Sequence, residues 1–301
     1  MRILQLGDTH LGTSLRTLGG PEGWSRSDDH HTALEAALAP ALAGEVDLVL
    51  HTGDVFNRSR PPPAVVHRAQ ALFERVARRV PVVLVAGNHD RRGLSTHFGT
   101  SRGALHIVDS PTRLRVAGLS LVLVPHIRRA EDWVAAVHPL VRGGVDALVC
   151  HQGFAGCHVP GFTFRVGRPE ETVGEQHLPP DPIGAVLSGH IHPRQTVRWG
   201  PHQVVYAGST ERTSRSEAHQ TKGSVIWSLG AAWTHRFVDG PARPWMDCQS
   251  EADLSRVRQG DLVSVKPAQL ARLGEAVVAR GGRLVLPRSR SGPPRRQVRL
   301  F

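Results

Sequence analysis

The chain has 301 residues, and its 37 Lys and Arg against 26 Asp and Glu give a formal net charge of +11. That length suits one large α/β domain with a small appendage and excludes a stapled miniprotein, and the charge favours a polyanionic partner whose phosphates it can neutralise. Cys150, Cys157 and Cys248 lack paired spacing, Met1-Arg2 runs at once into a strand-like segment rather than a leader, and no apolar run could span a bilayer, so a cytoplasmic protein is expected.

Arg2-Ile3-Leu4-Gln5-Leu6 is a short apolar run that fits a buried strand, and it delivers Gly7-Asp8-Thr9-His10 at its carboxyl end. Ser27-Asp28-Asp29 supplies cap residues for a helix through 32–38. The run at 46–50 leads to Gly53-Asp54. After Pro61-Pro62-Pro63, the residues Val65, Val66, Ala69, Leu72, Phe73 and Val76 recur at helical spacing, predicting a helix over 64–79. The run at 80–85 leads to Gly87-Asn88-His89-Asp90, that at 146–150 to His151, and that at 185–187 to Gly189-His190-Ile191-His192. Ligands of open α/β sheets collect beyond the carboxyl ends of strands, so five strands would aim five polar motifs into one crevice. The glycines at 7, 53, 87 and 189 suit tight turns of unusual φ beneath it. Near Gly240-Pro241-Ala242-Arg243-Pro244 the pattern changes. Residues 245–301 hold a strand candidate at 261–265, a helix over 268–279, Arg283-Leu284-Val285-Leu286, and a basic, proline-interrupted end expected to be disordered or extended. The expected division is therefore a domain over 1–244 and a small α/β cap with a basic tail over 245–301.

Carboxylate oxygen, amide oxygen and imidazole nitrogen form a mixed, moderately hard donor set that suits manganese, iron or zinc. In extended backbone Asp8 and His10 point the same way, as do His190 and His192. With Asp54 as the bridge, one ion takes Asp8, His10, Asp54 and His192, and the second takes Asp54, Asn88, His151 and His190. A two-metal centre of this kind serves phosphoryl chemistry, and His89 is left to protonate a leaving alkoxide. Alone, Asp-x-His is close to uninformative and Gly-Asp is often only a turn. It is the order of five motifs, each behind a strand, that carries the reading of a binuclear phosphoesterase.

Around this centre, Asn57, Arg58, Arg60, Arg91, Arg92, Arg128, Arg129, Arg165 and Arg168 are candidates for a DNA-facing rim, and Phe154, Phe162 and Phe164 for a stacking surface. His51 is either a support behind Asp54 or a plain strand-end residue. The remaining histidines, His30, His31 and His126 among them, are read as surface or hydrogen-bonded groups. With two lysines in all, Lys222 and Lys266, the preference for arginine reflects a GC-rich genome and says nothing about DNA.

The motif order over residues 1–192 resembles the calcineurin-like metallophosphoesterase superfamily. Tyr206-Ala207-Gly208-Ser209-Thr210-Glu211-Arg212 resembles the Gly-Ser-x-Glu-Arg segment of its Mre11/SbcD nuclease branch, as do Gly53-Asp54-Val55-Phe56 ahead of the prolines, Lys222-Gly223 before a strand, and Phe237 ahead of Arg243-Pro244. The resemblance implies a four-layer α/β/β/α sandwich with a small C-terminal α/β cap. It further implies a DNA repair nuclease, acting as 3′–5′ exonuclease and as single-strand and hairpin endonuclease with two divalent ions. Manganese is the expected metal, with iron, zinc and magnesium as others. A homodimer and a Rad50/SbcC-type ATPase partner are implied as well, although no helices for binding an ATPase coiled coil are evident. Asp8, His10, Asp54, Asn88, His151, His190 and His192 inherit the ligand roles and His89 the acid role. One position departs: many Mre11 proteins have a histidine three residues after the bridging aspartate, and here Asn57 stands there, able to donate to a phosphate but not to supply a proton near neutral pH. The alternative is a small-molecule or cyclic-nucleotide phosphoesterase, which shares the metal motifs but needs neither a basic rim nor the 208–212 segment.

Overall fold

The computed structural model describes residues 1–19, 24–90, 93–159, 169–199 and 202–286. Arg91, Arg92, Arg165, Arg168, Phe162, Phe164 and the basic tail lie outside the described residues. The chain opens with β1 (Arg2–Leu6) and a two-residue β2 (Thr17–Leu18), then α1 (Arg26–Leu42), β3 (Leu48–His51), α2 (Pro63–Ala77) and β4 (Val82–Val85). The one-turn α3 (Ser95–Phe98), β5 (Leu105–Val108), β6 (Thr112–Val116), β7 (Leu119–Val124) and α4 (Ala130–Val141) follow. Next come β8 (Val145–His151), β9 (Ile183–Gly189), β10 (Gln195–Trp199), β11 (His202–Tyr206), β12 (Gly223–Leu229) and β13 (Trp233–Asp239). The last elements are β14 (Trp245–Cys248), β15 (Leu262–Val265), α5 (Leu270–Ala279) and β16 (Arg283–Val285).

Two six-stranded sheets, ordered β13-β12-β1-β3-β4-β5 and β10-β11-β9-β8-β7-β6, face each other. Side chains of successive strand residues alternate between faces. Ile3, Leu48, Leu50, Val83 and Val85 meet Leu121, Leu123, Val149 and Leu187 of the opposite sheet. Leu4, Leu6, Val49, Val82 and Leu84 turn outward onto Leu34, Leu38, Ala69, Leu72 and Phe73 of α1 and α2. On the far side Val122, Val124, Leu148 and Cys150 pack against Trp133, Val137 and Val141 of α4. The order of layers is therefore helix, sheet, sheet, helix, the four-layer sandwich that the resemblance implies. Strands covered on both faces must be apolar at nearly every position, which explains the unbroken apolar runs in the sequence. Each such Val or Leu contributes roughly 1.5–3 kcal/mol on burial, so the loops beyond the strand ends stand on a rigid base. Gln5 is a polar exception in β1: its Nε2 donates to the Ser188 and Val205 carbonyls (3.3 and 2.9 Å), and its Oε1 accepts from Trp227 Nε1 (2.8 Å).

The third sheet, β14-β15-β16-β2, has its own core of Cys248, Val263, Val265, Leu273, Val277 and Leu284. Its last strand is contributed by residues 17 and 18, antiparallel to β16. A division at 244/245 does not convey this, because a two-residue strand carries no periodicity to read. α1 also begins earlier than Ser27-Asp28-Asp29 suggests. Ser25 is its cap, and Asp28 Oδ2 accepts from the Ser25 backbone N–H (3.1 Å) and hydroxyl (2.7 Å). No described helix is long and apolar enough to cross a membrane.

Candidate metal centre

At or just beyond the carboxyl ends of β1, β3, β4, β8 and β9, the seven candidate ligands form two overlapping groups. In the first, His10 Nε2 lies 3.1 Å from His192 Nε2 and 3.6 Å from Asp54 Oδ2, and His192 Nε2 lies 3.9 Å from Asp8 Oδ1. In the second, Asn88 Oδ1 is 2.9 Å from both His151 Nε2 and His190 Nδ1, and His151 Nε2 is 3.5 Å from Asp54 Oδ2. Asp54 Oδ2 belongs to both groups, as a bridging carboxylate must. Imidazole nitrogens and carboxylate oxygens converging from separate loops point their lone pairs at shared positions, and a cation is what such a donor set fits. Burial works against charge on Asp54, yet His151, His10 and His89 hold its carboxyl well below the usual range. Burial likewise opposes a charged His151, while Asp54 and Asp8 raise it to about 9.

The backbone is bent to make this arrangement. Asp8 (φ 50°), His10 (φ 44°), Asp54 (φ 55°) and His190 (φ 86°) are left-handed, and the other described non-glycine residue with positive φ is Ala117, in the β6–β7 turn. Each such residue costs on the order of 1–3 kcal/mol, which the surrounding sandwich must offset. Asp8 and His10 thus do not alternate along an extended segment, and His190 and His192 serve different groups. The unusual φ expected of the four motif glycines is found in Gly53 (φ 105°), and otherwise falls on the ligands themselves. Gly87 is needed for space: a Cβ there would lie 2.1 Å from Asp54 Oδ1.

Groups behind the ligands fix them. His151 Nδ1 donates to the Thr52 carbonyl (2.8 Å), which turns Nε2 toward the centre. Buried Asp90 accepts from the backbone N–H groups of Val55 (3.2 Å), Phe56 (3.2 Å) and Gly87 (2.9 Å), tying the loop of Asp54 to that of Asn88. Burial and the nearby Asp54 push its carboxyl up to about 7. His89 donates its backbone N–H to Asp54 Oδ1 (2.8 Å) and its Nδ1–H to the Asn57 carbonyl (2.8 Å). Its Nε2 stands 4.0 Å from Asp54 Oδ2 on a ring that is 41% exposed. Asn57 therefore enters through its backbone, whatever its side chain does.

The other sequence candidates occupy varied surroundings. His51 is fully buried, with Nε2 3.1 Å from Thr9 Oγ1 and Nδ1 accepting from the Gly53 backbone N–H (3.3 Å), so it lies behind the loop that carries Asp54 without touching the carboxylate itself. Phe154 is a core residue against Trp133, Trp199 and Tyr206, because the loop after β8 folds back over α4, so it offers no stacking surface. Arg128 pairs with Glu171 (2.8 Å) and Arg129 with Glu131 (3.0 Å). Exposed Arg58 and Arg60 form no ion pair among the described residues. His30 and His31 are buried, and His30 Nδ1 donates to the Thr9 carbonyl (2.9 Å) behind the first motif. Sequence reasoning missed Glu217, whose Oε1 receives His192 Nδ1–H at 2.8 Å, and His126, whose ring stacks on His190. His126 had a signal available: it follows the apolar run of β7 as the recognised motifs follow theirs.

Facing sheets with such donors at their strand ends define a metal-dependent phosphoesterase class. The chain belongs to the calcineurin-like phosphoesterase family, whose profile matches residues 1–194, and within it to the Mre11/SbcD-type branch. It is 32% identical over 275 residues to the DNA double-strand break repair protein Mre11 of Haloferax volcanii, a match covering 86% of this chain and 57% of that protein. Against the Mre11 of Halobacterium salinarum it is 30% identical over 223 residues, covering 72% of this chain and 53% of the other. Against the SbcD component of the SbcCD nuclease of Rhodobacter capsulatus it is 27% identical over 289 residues, covering 80% of this chain and 69% of the other. The chain thus spans a little over half the length of the first two relatives.

Proposed function

We propose that this chain hydrolyses phosphodiester bonds in DNA at a centre of two divalent ions, as a cytoplasmic DNA repair nuclease. The observation that carries the reading is Asp54 Oδ2, common to both donor groups, with His89 Nε2 4.0 Å from it. Asp8, His10, Asp54 and His192 would hold one ion, and Asp54, Asn88, His151 and His190 the other. Bound there, the ions would lower the pKa of a shared water and offset charge developing on the phosphoryl oxygens. The chain's own groups do the rest. His89, its Nδ1–H fixed on the Asn57 carbonyl, keeps Nε2 free to bring a proton to the leaving alkoxide. The mixed oxygen and nitrogen donors suit manganese, iron or zinc, and manganese is the proposed metal by the resemblance to the Mre11/SbcD branch. DNA is favoured by the names of the relatives, by the net charge of +11, and by exposed Arg58 and Arg60 at the loop between Asp54 and α2. The proposal extends, by the resemblance of the 208–212 segment and its companions to the Mre11/SbcD branch, to 3′–5′ exonuclease and single-strand and hairpin endonuclease action, with a second copy of the chain and a Rad50/SbcC-type ATPase as partners.

The test incubates the wild-type chain and His89→Ala, with manganese, on end-labelled duplex DNA, hairpin DNA, a cyclic nucleotide and a phosphomonoester. Wild type is expected to cleave the DNA, and His89→Ala to bind manganese normally while cleaving on the order of 10²–10⁴-fold more slowly. Turnover of the small substrates alone would replace the nuclease reading with the small-molecule alternative. Loss of manganese binding in His89→Ala would make this residue a ligand instead of an acid.

A further inference from the structure

His126 lies two residues beyond β7 and is not among the groups that face both donor sets, yet it is anchored against the second set from three directions. Its backbone N–H donates to the Ala86 carbonyl (3.1 Å), at the end of the strand that delivers Asn88. Its Nδ1–H donates to the His151 carbonyl (3.2 Å). Its ring lies nearly parallel to that of His190, with centroids 5.3 Å apart and planes at 27°, and edge-on to His151 at 6.0 Å and 83°. His190 needs such a neighbour. It meets Asn88 Oδ1 through Nδ1, the nitrogen next to the ring's attachment point, so small rotations of the ring re-aim its lone pair. The torsion that controls this is intrinsically broad. The left-handed backbone of His190 marks the residue as one held in place by its surroundings.

We infer that His126 is a positioning residue for the second donor group, holding the His190 ring by stacking so that Nδ1 shares its target with Asn88 Oδ1 and His151 Nε2. The inference rests on the proposed two-ion centre. Partners that orient a metal-binding histidine typically contribute 10–100-fold in affinity, and a flat aromatic ring is the part of His126 that does so here. Phenylalanine at this position keeps the offset stack and discards the hydrogen bond, whereas alanine discards both.

Manganese titration of wild type, His126→Ala and His126→Phe, followed by calorimetry and by the electron paramagnetic resonance spectrum of the loaded protein, separates the possibilities. Wild type is expected to bind two ions with the spectrum of a coupled pair. His126→Ala should keep one ion at wild-type affinity, bind the second roughly 10–100-fold more weakly, and lose the coupled spectrum at limiting manganese. His126→Phe should restore both. Unchanged affinity for the second ion in His126→Ala, or a phenylalanine variant as weak as the alanine one, would overturn the role of His126 and leave the two-ion centre standing. A wild-type chain that bound fewer than two ions would overturn both.

Discussion

Glu217 has no motif around it in the sequence, yet it governs how His192 is presented. Its Oε1 receives His192 Nδ1–H (2.8 Å), its Oε2 meets Lys222 Nζ (2.6 Å), and the Thr213 backbone N–H adds a third contact (3.1 Å). Burial resists a charged Glu217, but His192 and Lys222 hold its carboxyl well below the usual range. Lys222 is 1% exposed, and its carboxylate partner among the described residues is Glu217. Breaking one side of a buried pair leaves the other charge without compensation, at a cost of about 3–5 kcal/mol. Glu217→Gln should therefore lower the melting temperature by several degrees and also weaken manganese binding, whereas Glu217→Gln with Lys222→Met should recover part of the stability and none of the metal affinity. Thermal melts and manganese titration of both variants check this, and a single variant as stable as wild type would remove Glu217 from the account. Lys222 stands out in the sequence only through a resemblance. Its physical purpose is not legible there, because the residue it neutralises is joined to it only by the folded loop.

At the scale of elements, the loops after β3 and β4 behave as one unit. Asp90 binds backbone N–H groups from both, and Gly87 sits so close to Asp54 that a Cβ would fall 2.1 Å from Oδ1 and 2.3 Å from the backbone nitrogen. Neither loop can give way without breaking Asp90's contacts. Gly87→Ala is expected to cost about 1–3 kcal/mol and to shift Asp54 enough to abolish tight binding of both ions, as measured by denaturant unfolding and manganese titration; two ions bound at wild-type affinity would show that the loops are softer than this packing implies. The strands that lead into these loops were legible because burial on both faces forces apolar runs, and the motifs because they interrupt those runs. The segment 208–212 was legible only as a resemblance. In the fold it is scaffolding: Glu211 Oε1 pairs with Arg26 (3.1 Å), Glu211 Oε2 accepts from the Arg243 backbone N–H (2.8 Å), and Arg212 donates to the carbonyls of Ala218, Gln220 and Arg243 (3.1, 2.9 and 2.7 Å). It holds the loop that carries Glu217, and so reaches the centre through His192.

Across the whole molecule, the third sheet is joined to the sandwich by β2 and by an arginine-rich contact at the start of α1. Arg243 Nε lies 2.6 Å and Arg26 Nη1 2.8 Å from the Asp29 carboxylate, while the Arg283 guanidinium stacks 3.5 Å over Trp24. Burial opposes a charged Asp29, but Arg243 and Arg26 hold its carboxyl below the ordinary value, which is about 3.9 in an unfolded chain. A depressed folded pKa contributes stability that is present above about pH 4 and is lost as the pH falls through the folded value. Acidification from pH 5 to pH 3 should thus destabilise wild type more steeply than Asp29→Asn, which is weaker already at pH 7. Parallel slopes for the two proteins in urea unfolding across that range would exclude this linkage. Hydrogen exchange over β14–β16 should rise in the same variant, since the contact that ties residue 243 to α1 is gone.

The sequence by itself determined the apolar strands and singled out the seven candidate donors and His89, because those depend on local pattern: two-sided burial writes apolar runs, and the chemistry of ligation restricts the residue types that end them. Tertiary structure decided which donors share a target, which nitrogen of each histidine faces it, and where the strain falls. It also decided that His126 lies against His190 and Glu217 against His192, that Phe154 is buried in the core, and that residues 17 and 18 complete a sheet whose other strands lie past residue 244. Each of these depends on side chains or strands brought together from distant stretches of chain, and separation along the chain leaves no period in a sequence to read.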